Sequence, residues 1–482
     1  MHTILSLLAR RTVAAALLLT LGLTTSCEDQ LNLQPQQSVD ANEALTTPEG
    51  VEAGVIGMYA RLGRPQLYGT NFLLVPDLLA SAPVSPSAPG VYIGWQGTFQ
   101  SYREVAVKTS LTSFNTEAER TFDHAYRGIN HANIVLDALP IITNPADQRR
   151  YAGEARTIRA MLHFDLVRLY AQAYRAGQPN NQPGVPINLI ANKNEEQAAQ
   201  RLARASVEEV YQQVITDLQA AIGLLPRRNG NRLDRFDAQA FLSRVYLQQG
   251  RYADALILAD SVIATSPATL NPSPVSAFTN RNSSESLFEI QQNDQNNAGA
   301  VNDGLATFYS GKSIGFTGRA DVFIQPSFAG LYTAGDQRGL GTVIGNTLIY
   351  TGDAPTARAG RLRSFKFNDP GQNIPLIRLA ELYLTRAECN LRLNSTTGAT
   401  PLEDVNRIRT RAGAPALTSV TIDDVLRERE LEFAFEGFRL HDYKRTRRNI
   451  TTVYTWDSPR LVLPIPQREI ILGSSLPQNE GY

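Results

Sequence analysis

Cysteine is almost missing from this chain, with Cys27 and Cys389 the two in 482 residues, so at most one disulfide could form and stability has to come from packing. Histidine is nearly as scarce. The five are His2, His124, His131, His163 and His441; His124 and His131 could share a helix face, but no H-E-x-x-H run or cysteine cluster completes a zinc site. An excess of either charge is missing too, since 46 Lys plus Arg balance 46 Asp plus Glu. That removes the basic footprint of a nucleic-acid binder and implies no polyanion partner. Long hydrophobic runs are also lacking: Val13–Leu23 is apolar but well short of the roughly 20 residues needed to cross a bilayer.

Catalytic signatures are thin. Gly311, Lys312, Ser313, Ile314 and Gly315 spell G-x-S-x-G, yet Phe316, Thr317 and Gly318 start no helix after it, and only His441 lies downstream as a base. Ala306 to Ser313 fits a relaxed phosphate-loop pattern with Ala in place of its first Gly. The oxygen-rich Asp294, Asn296 and Asn297 lose the calcium-loop spacing at Ala298. No catalytic residue, metal ligand or cofactor is therefore assigned.

What is present starts with an export signal. Arg10 and Arg11 precede the apolar run, small residues follow it, and TTSC places Cys27 where a lipobox would have it lipidated. Residues 1–26 read as the signal peptide and 27–47 as a polar, lipidated tether; Cys389 is then a lone core cysteine. The fold spans 48–482. A helix is expected from Pro48 to Leu62, and further helices lie in ERTFDHAYRGINHANIVLDAL, RRYAGEARTIRAMLHFDLVRLYAQAY and the stretch from Ser206, which opens with a Ser206 to Glu209 capping box. Leu242, Tyr246, Ala255 and Pro267 have tetratricopeptide spacing, with Gly250 and Tyr252 at the turn.

The run from Ile374 to Arg445 is the most informative. IPLIRLAELYLTRAECNLRLN reads as one helix from Ile374, VNRIRTRAG as a short helix ending at Gly413, and DDVLRERELEFAFEGFRL as a third, opened by Thr421 and Asp424. Carboxylates among Phe433, Phe435 and Phe438 are costly unless paired, so Glu432 and Glu436 are expected to face arginines of the two preceding helices. Two stretches, about 64–113 and 266–373, lose helical periodicity and read as long inserts of loop and short strand. The fold class is mainly α, an irregular scaffold of tetratricopeptide-like helical pairs carrying these inserts.

RLAELYLTRAE, VNRIRTRAG, ERELEFAFEGFRLHDYKR, LPIPQREI and the terminal LPQNEGY resemble the C-terminal signature (374–482) of the SusD/RagB family of outer-membrane nutrient-binding lipoproteins. GEARTIRAMLHFDLVRLYAQAY, GVPINL and SVEEVYQQVITDLQAAIGLLP extend the resemblance; Glu480 stands where the family usually has Pro. The resemblance implies a Gram-negative lipoprotein facing the cell exterior. It would bind an oligosaccharide or other nutrient and deliver it to a SusC-like TonB-dependent outer-membrane transporter. It would touch the membrane through its lipid only, bind no nucleic acid and catalyse nothing. Binding of peptides or other solutes, a ligand-free surface scaffold, and a hydrolase using Ser313 or the helix carboxylates stay as alternatives. Sugar C–H faces stack on aromatic planes while hydroxyls need polar partners. Trp95, Tyr92 and Tyr102 in the first insert, near Phe99, and Tyr309, Phe316 and Arg319 in the second are thus the candidate ligand contacts.

Overall fold

The computed structural model describes residues 45–81, 90–198, 201–311, 316–352, 358–472 and 476–482. The signal peptide, Cys27 and nearly all of the tether lie outside the described residues, as do residues 312–315 of the G-x-S-x-G run.

Helix α1, Pro48–Leu62, starts where Pro48 follows the Thr47 cap, whose side chain accepts from the Gly50 N–H at 3.1 Å. Then come α2 (Asn71–Ser81), strand β1 (Ile93–Trp95) and α3 (Gln100–Val107). The first insert was expected to be irregular, yet it contains both α2 and α3. Every residue of α2 is buried, so its sequence NFLLVPDLLAS has no polar face and no 3.6-residue period to read. The long pair α4 (Thr116–Ala138) and α5 (Pro145–Tyr170) is capped by Asn115 and Asn144. Helix α6 (Val207–Leu224) starts with the expected Ser206–Glu209 box, and α7 (Arg235–Gln249) turns at left-handed Gly250 into α8 (Tyr252–Thr265).

After the second insert, α10 (Leu379–Leu393), α11 (Pro401–Arg411), α12 (Ile422–Glu432) and α13 (Arg439–Arg445) complete the scaffold. Each helix packs on its neighbour: α4 on α5, α5 on α6, α6 on α7, α7 on α8, α8 on α10, then α10 on α11 and α12. This is the irregular solenoid of helical pairs.

Two expectations change here. Residues Ile374–Arg378 form a strand, β6, antiparallel to β2 (Ser286–Ile290), and α10 begins only at Leu379; Leu376 therefore belongs to the sheet. The last long helix also breaks. α12 stops at Glu432 because its terminal carbonyls are taken by the insert: Tyr332 Oη donates to Leu431 O at 3.0 Å and Lys366 Nζ to Glu432 O at 2.8 Å. Phe435 then adopts a left-handed φ of 69°, with its N–H donated to Tyr92 Oη.

The second insert holds α9 (Leu305–Tyr309) and the strands β3 (Val322–Ile324), β4 (Ile349–Thr351) and β5 (Leu362–Ser364). With β1 these make a four-stranded antiparallel sheet in the order β1-β3-β5-β4, so the two inserts meet in one sheet. A buried ionic network ties that sheet region to the scaffold. Arg378 reaches Glu285, Glu432 and Glu436 at 2.8–2.9 Å, and Arg411 bridges Glu285 and Glu432. Arg411, on α11, meets Glu432 as an arginine of a preceding helix, as expected, whereas Arg378, which meets both Glu432 and Glu436, ends strand β6; Arg338 on Glu428 and Glu432, and Lys366 on Glu436, come from the insert.

Candidate functional site

β1 forms because Tyr92, Ile93, Gly94 and Trp95 alternate across the sheet edge. Gly94 is required there: a Cβ would run into the Phe323 ring of the partner strand, which lies across it. Trp95 pairs with Val322 and is half-buried, its ring 4.9 Å from Tyr102 and 5.0 Å, edge-on, from Phe308. Phe99, also half-buried, stands 6.1 Å from both Tyr102 and Phe308. The Arg319 guanidinium covers this group, 4.9 Å from the Phe99 centroid, and is fixed by two bonds to Asp321 at 2.7 and 2.9 Å and one to Asn302. Trp95 Nε1 meets no acceptor among the described residues.

Polar side chains frame the rings. Gln96 Nε2 donates to Ala320 O at 3.0 Å, Arg103 Nη2 to Gly97 O at 2.8 Å, and Arg358 reaches both Asp321 and Gln96 O. Nearby a cleft of 590 Å³ opens between α1 and β2, lined by Tyr59, Arg64, Phe288, Gln291, Asn296 and Val301, a size suited to small-molecule recognition. Val301 of the cleft lining is followed in sequence by Asn302, the partner of Arg319.

Of the six candidates, the fold brings Trp95, Tyr102 and Arg319 together. Three tyrosines need correction as stacking platforms because no ring face reaches solvent. Tyr102 is 0% exposed and its hydroxyl donates to Asn71 Oδ1 at 2.7 Å. Tyr92 is likewise 0% exposed, stacked on Phe435 with centroids 5.4 Å apart and 12° between planes. Tyr309 is 1% exposed and lies against Phe367 and Phe435. Burial pushes the hydroxyls of all three well above their ordinary value. Tyr92 and Tyr309 fasten the inserts to the broken helix, and Tyr102 ties α3 to α2 through Asn71. Phe316 is half-buried and makes no ring contact with the cluster among the described residues.

Buried Phe308 and the arginines at 103, 358, 361 and 363, which lie around β1, are not among the candidates drawn from the sequence. The RAGRLR spacing of the last three was visible, but only the sheet carries them to β1. His441 is buried in the scaffold; burial first, then Arg168, Lys444 and Arg244, holds it well below the usual histidine range. Among the described residues no group of three or more His, Cys, Asp or Glu is placed to hold a metal ion.

The profile of the SusD family matches residues 365–482, and a second profile, described as starch-binding associating with outer membrane, matches residues 93–247. The chain belongs to the SusD/RagB family. SusD-like protein P38 of Formosa agariphila is 24% identical over 97% of this chain and 98% of its own length. Among solved SusD folds, a SusD superfamily protein from Bacteroides vulgatus superposes with a TM-score of 0.77 at 23% identity, covering 90% of this chain and 99% of its own. Surface glycan-binding protein A from Bacteroides uniformis gives 0.73 at 21% identity, with the same coverage. The likeness to these SusD structures is one of fold.

Proposed function

We propose that this SusD-like chain is a lipid-anchored protein on the outer face of the outer membrane that binds an oligosaccharide without turning it over and delivers it to a TonB-dependent transporter. The observation that carries the reading is the half-buried pair Trp95 and Phe99, seated on the buried Phe308 ring and held beside fixed polar groups of Gln96 and Arg319 where the two inserts join. Such a surface pairs apolar planes for sugar C–H faces with directional partners for hydroxyls. The names of relatives support it, one a surface glycan-binding protein and one family profile a starch-binding one. The Cys27 motif supports the anchor.

Calorimetry with a panel of oligosaccharides and peptides tests this. Phe99→Ala should weaken the best saccharide by about 1–3 kcal/mol, the size of a base-on-aromatic stacking contact, with an unchanged melting temperature. Trp95→Ala should lose affinity and also stability, since its ring packs on Tyr102 and Phe308. Peptide binding alone would replace the cargo class. No binding to any panel member would leave the scaffold reading, and unchanged affinity in both variants would move the site to the 590 Å³ cleft.

A further inference from the structure

The charge balance of the whole chain breaks down around β1 and β5. Arg103, Arg319, Arg358, Arg361 and Arg363 gather there, and Asp321 is the one carboxylate that any of them pairs with among the described residues. Asp321 is itself 0% exposed, so its charge is neutralised within the fold by Arg319 and Arg358. The other bonds go to neutral oxygens: Arg103 to Gly97 O and Gln100 Oε1, Arg319 to Asn302 Oδ1, Arg358 to Gln96 O and Arg319 O, and Arg363 to the carbonyls of Ala320, Val322 and Arg358. Those same bonds hold Arg103, Arg319, Arg358 and Arg363 within one neighbourhood of β1. Arg361 donates to nothing among the described residues. It is exposed, and its guanidinium lies 4.5 Å over the Phe323 ring, above the gap that Gly94 leaves.

The scaffold network shows what a purely architectural cluster looks like in this protein. There Arg338, Lys366, Arg378 and Arg411 are met by Asp336, Glu285, Glu428, Glu432 and Glu436. Among the described residues the five guanidinium groups of the candidate site have one carboxylate, and burial holds Arg363 down at about 10, with Arg358 and Arg361 adding to the effect. Uncompensated like charge in a partly desolvated surface raises the local potential and favours anions from solution. Planar guanidinium forks are suited to carboxylate and sulfate oxygens.

We propose that the saccharide taken by this site is anionic, carrying carboxylate or sulfate groups along its chain, with Arg103 meeting those groups beside the Trp95 and Phe99 rings and Arg361, on Phe323, meeting them on the opposite face of β1. This rests on the carbohydrate-binding reading above and narrows it away from neutral glucans.

The full mature protein is titrated calorimetrically with oligogalacturonate, with a sulfated galactan oligosaccharide and with uncharged oligosaccharides of equal length, each at low and high salt. At least one charged series should bind roughly tenfold or more tighter than its uncharged counterpart, since attraction between charges is screened by salt and should weaken as salt rises. Which of the two binds names the anion. Arg361→Gln, which removes a side chain that anchors nothing, should cost roughly fivefold in that affinity at an unchanged melting temperature. Uncharged saccharides binding as tightly and without salt dependence would overturn the anionic inference and leave glycan binding standing. If no saccharide binds, both fall. Tight, salt-sensitive binding unchanged in both Arg361→Gln and Arg103→Gln would overturn the assignment to these arginines.

Discussion

Glu432 is the residue on which the scaffold depends most. It is buried and meets Arg338, Arg378 and Arg411; burial pushes its carboxyl up, but Arg411, Arg378 and Arg338 outweigh that and hold it well below the usual range. Asp442 behaves alike: burial is opposed by Arg429 and Arg445, which bring it down to about 2. A depressed carboxylate contributes stability that is complete above its unfolded value, about 4 for Asp, and is lost as pH falls through the folded value. The melting temperature should therefore drop steadily between pH 4 and 2, and Asp442→Asn should flatten that slope. At pH 7, Glu432→Ala should cost about 3–5 kcal/mol in denaturant titrations, because it leaves buried arginines short of a partner. The expectation that Glu432 faces arginines could be read from the sequence, since a carboxylate between phenylalanines has few other solutions. That Lys366 and Arg338 join the network could not, because they lie in a stretch without periodicity.

The element that most departs from its sequence pattern is the helix expected to run through Phe435. Its apolar spacing continues past Glu432, yet the chain turns sharply, with Phe435 at φ 69° and Gly437 at φ 78°. Spacing shows which residues want burial; it does not show that Tyr332 and Lys366 will take the last carbonyls. A Cβ on Gly437 would stand 2.9 Å from Phe72 O and 3.0 Å from Leu73 Cα in the first turn of α2, in backbone that cannot give way. Gly437→Ala should thus destabilise by about 1–2 kcal/mol from the left-handed backbone alone, with the clash added. Phe435→Ala should cost about 3–5 kcal/mol through the cavity among Tyr92, Phe328 and Tyr309. Differential scanning calorimetry of both variants checks this; melting within a degree of wild type would show that the turn is not under tertiary control. The capping boxes at Ser206 and Thr421 formed as read, since capping chemistry is settled within four residues.

At the scale of the whole molecule, the proposed surface location rests on Cys27. Cys27→Ala should remove fatty-acid labelling and move the protein from the membrane fraction to the soluble one, or leave unprocessed precursor. Unchanged labelling would end the lipoprotein reading. The described residues contain no helix long and apolar enough to cross a membrane. By itself the sequence determined the helical pairs, several of their caps and the C-terminal motifs that belong to the SusD/RagB family, because helix periodicity, capping and short motifs are local properties. Only the tertiary structure decided which aromatic residues are core and which are surface. Tyr92, Tyr102 and Trp95 are alike in a Pro/Gly-rich sequence, and their exposure is set by the helix turn and sheet that come against them from more than 200 residues away. The same holds for charge. A chain with 46 residues of each sign is neutral as a composition, and only the pairing of β1 with β3 and of β3 with β5 gathers five arginines around one buried aspartate.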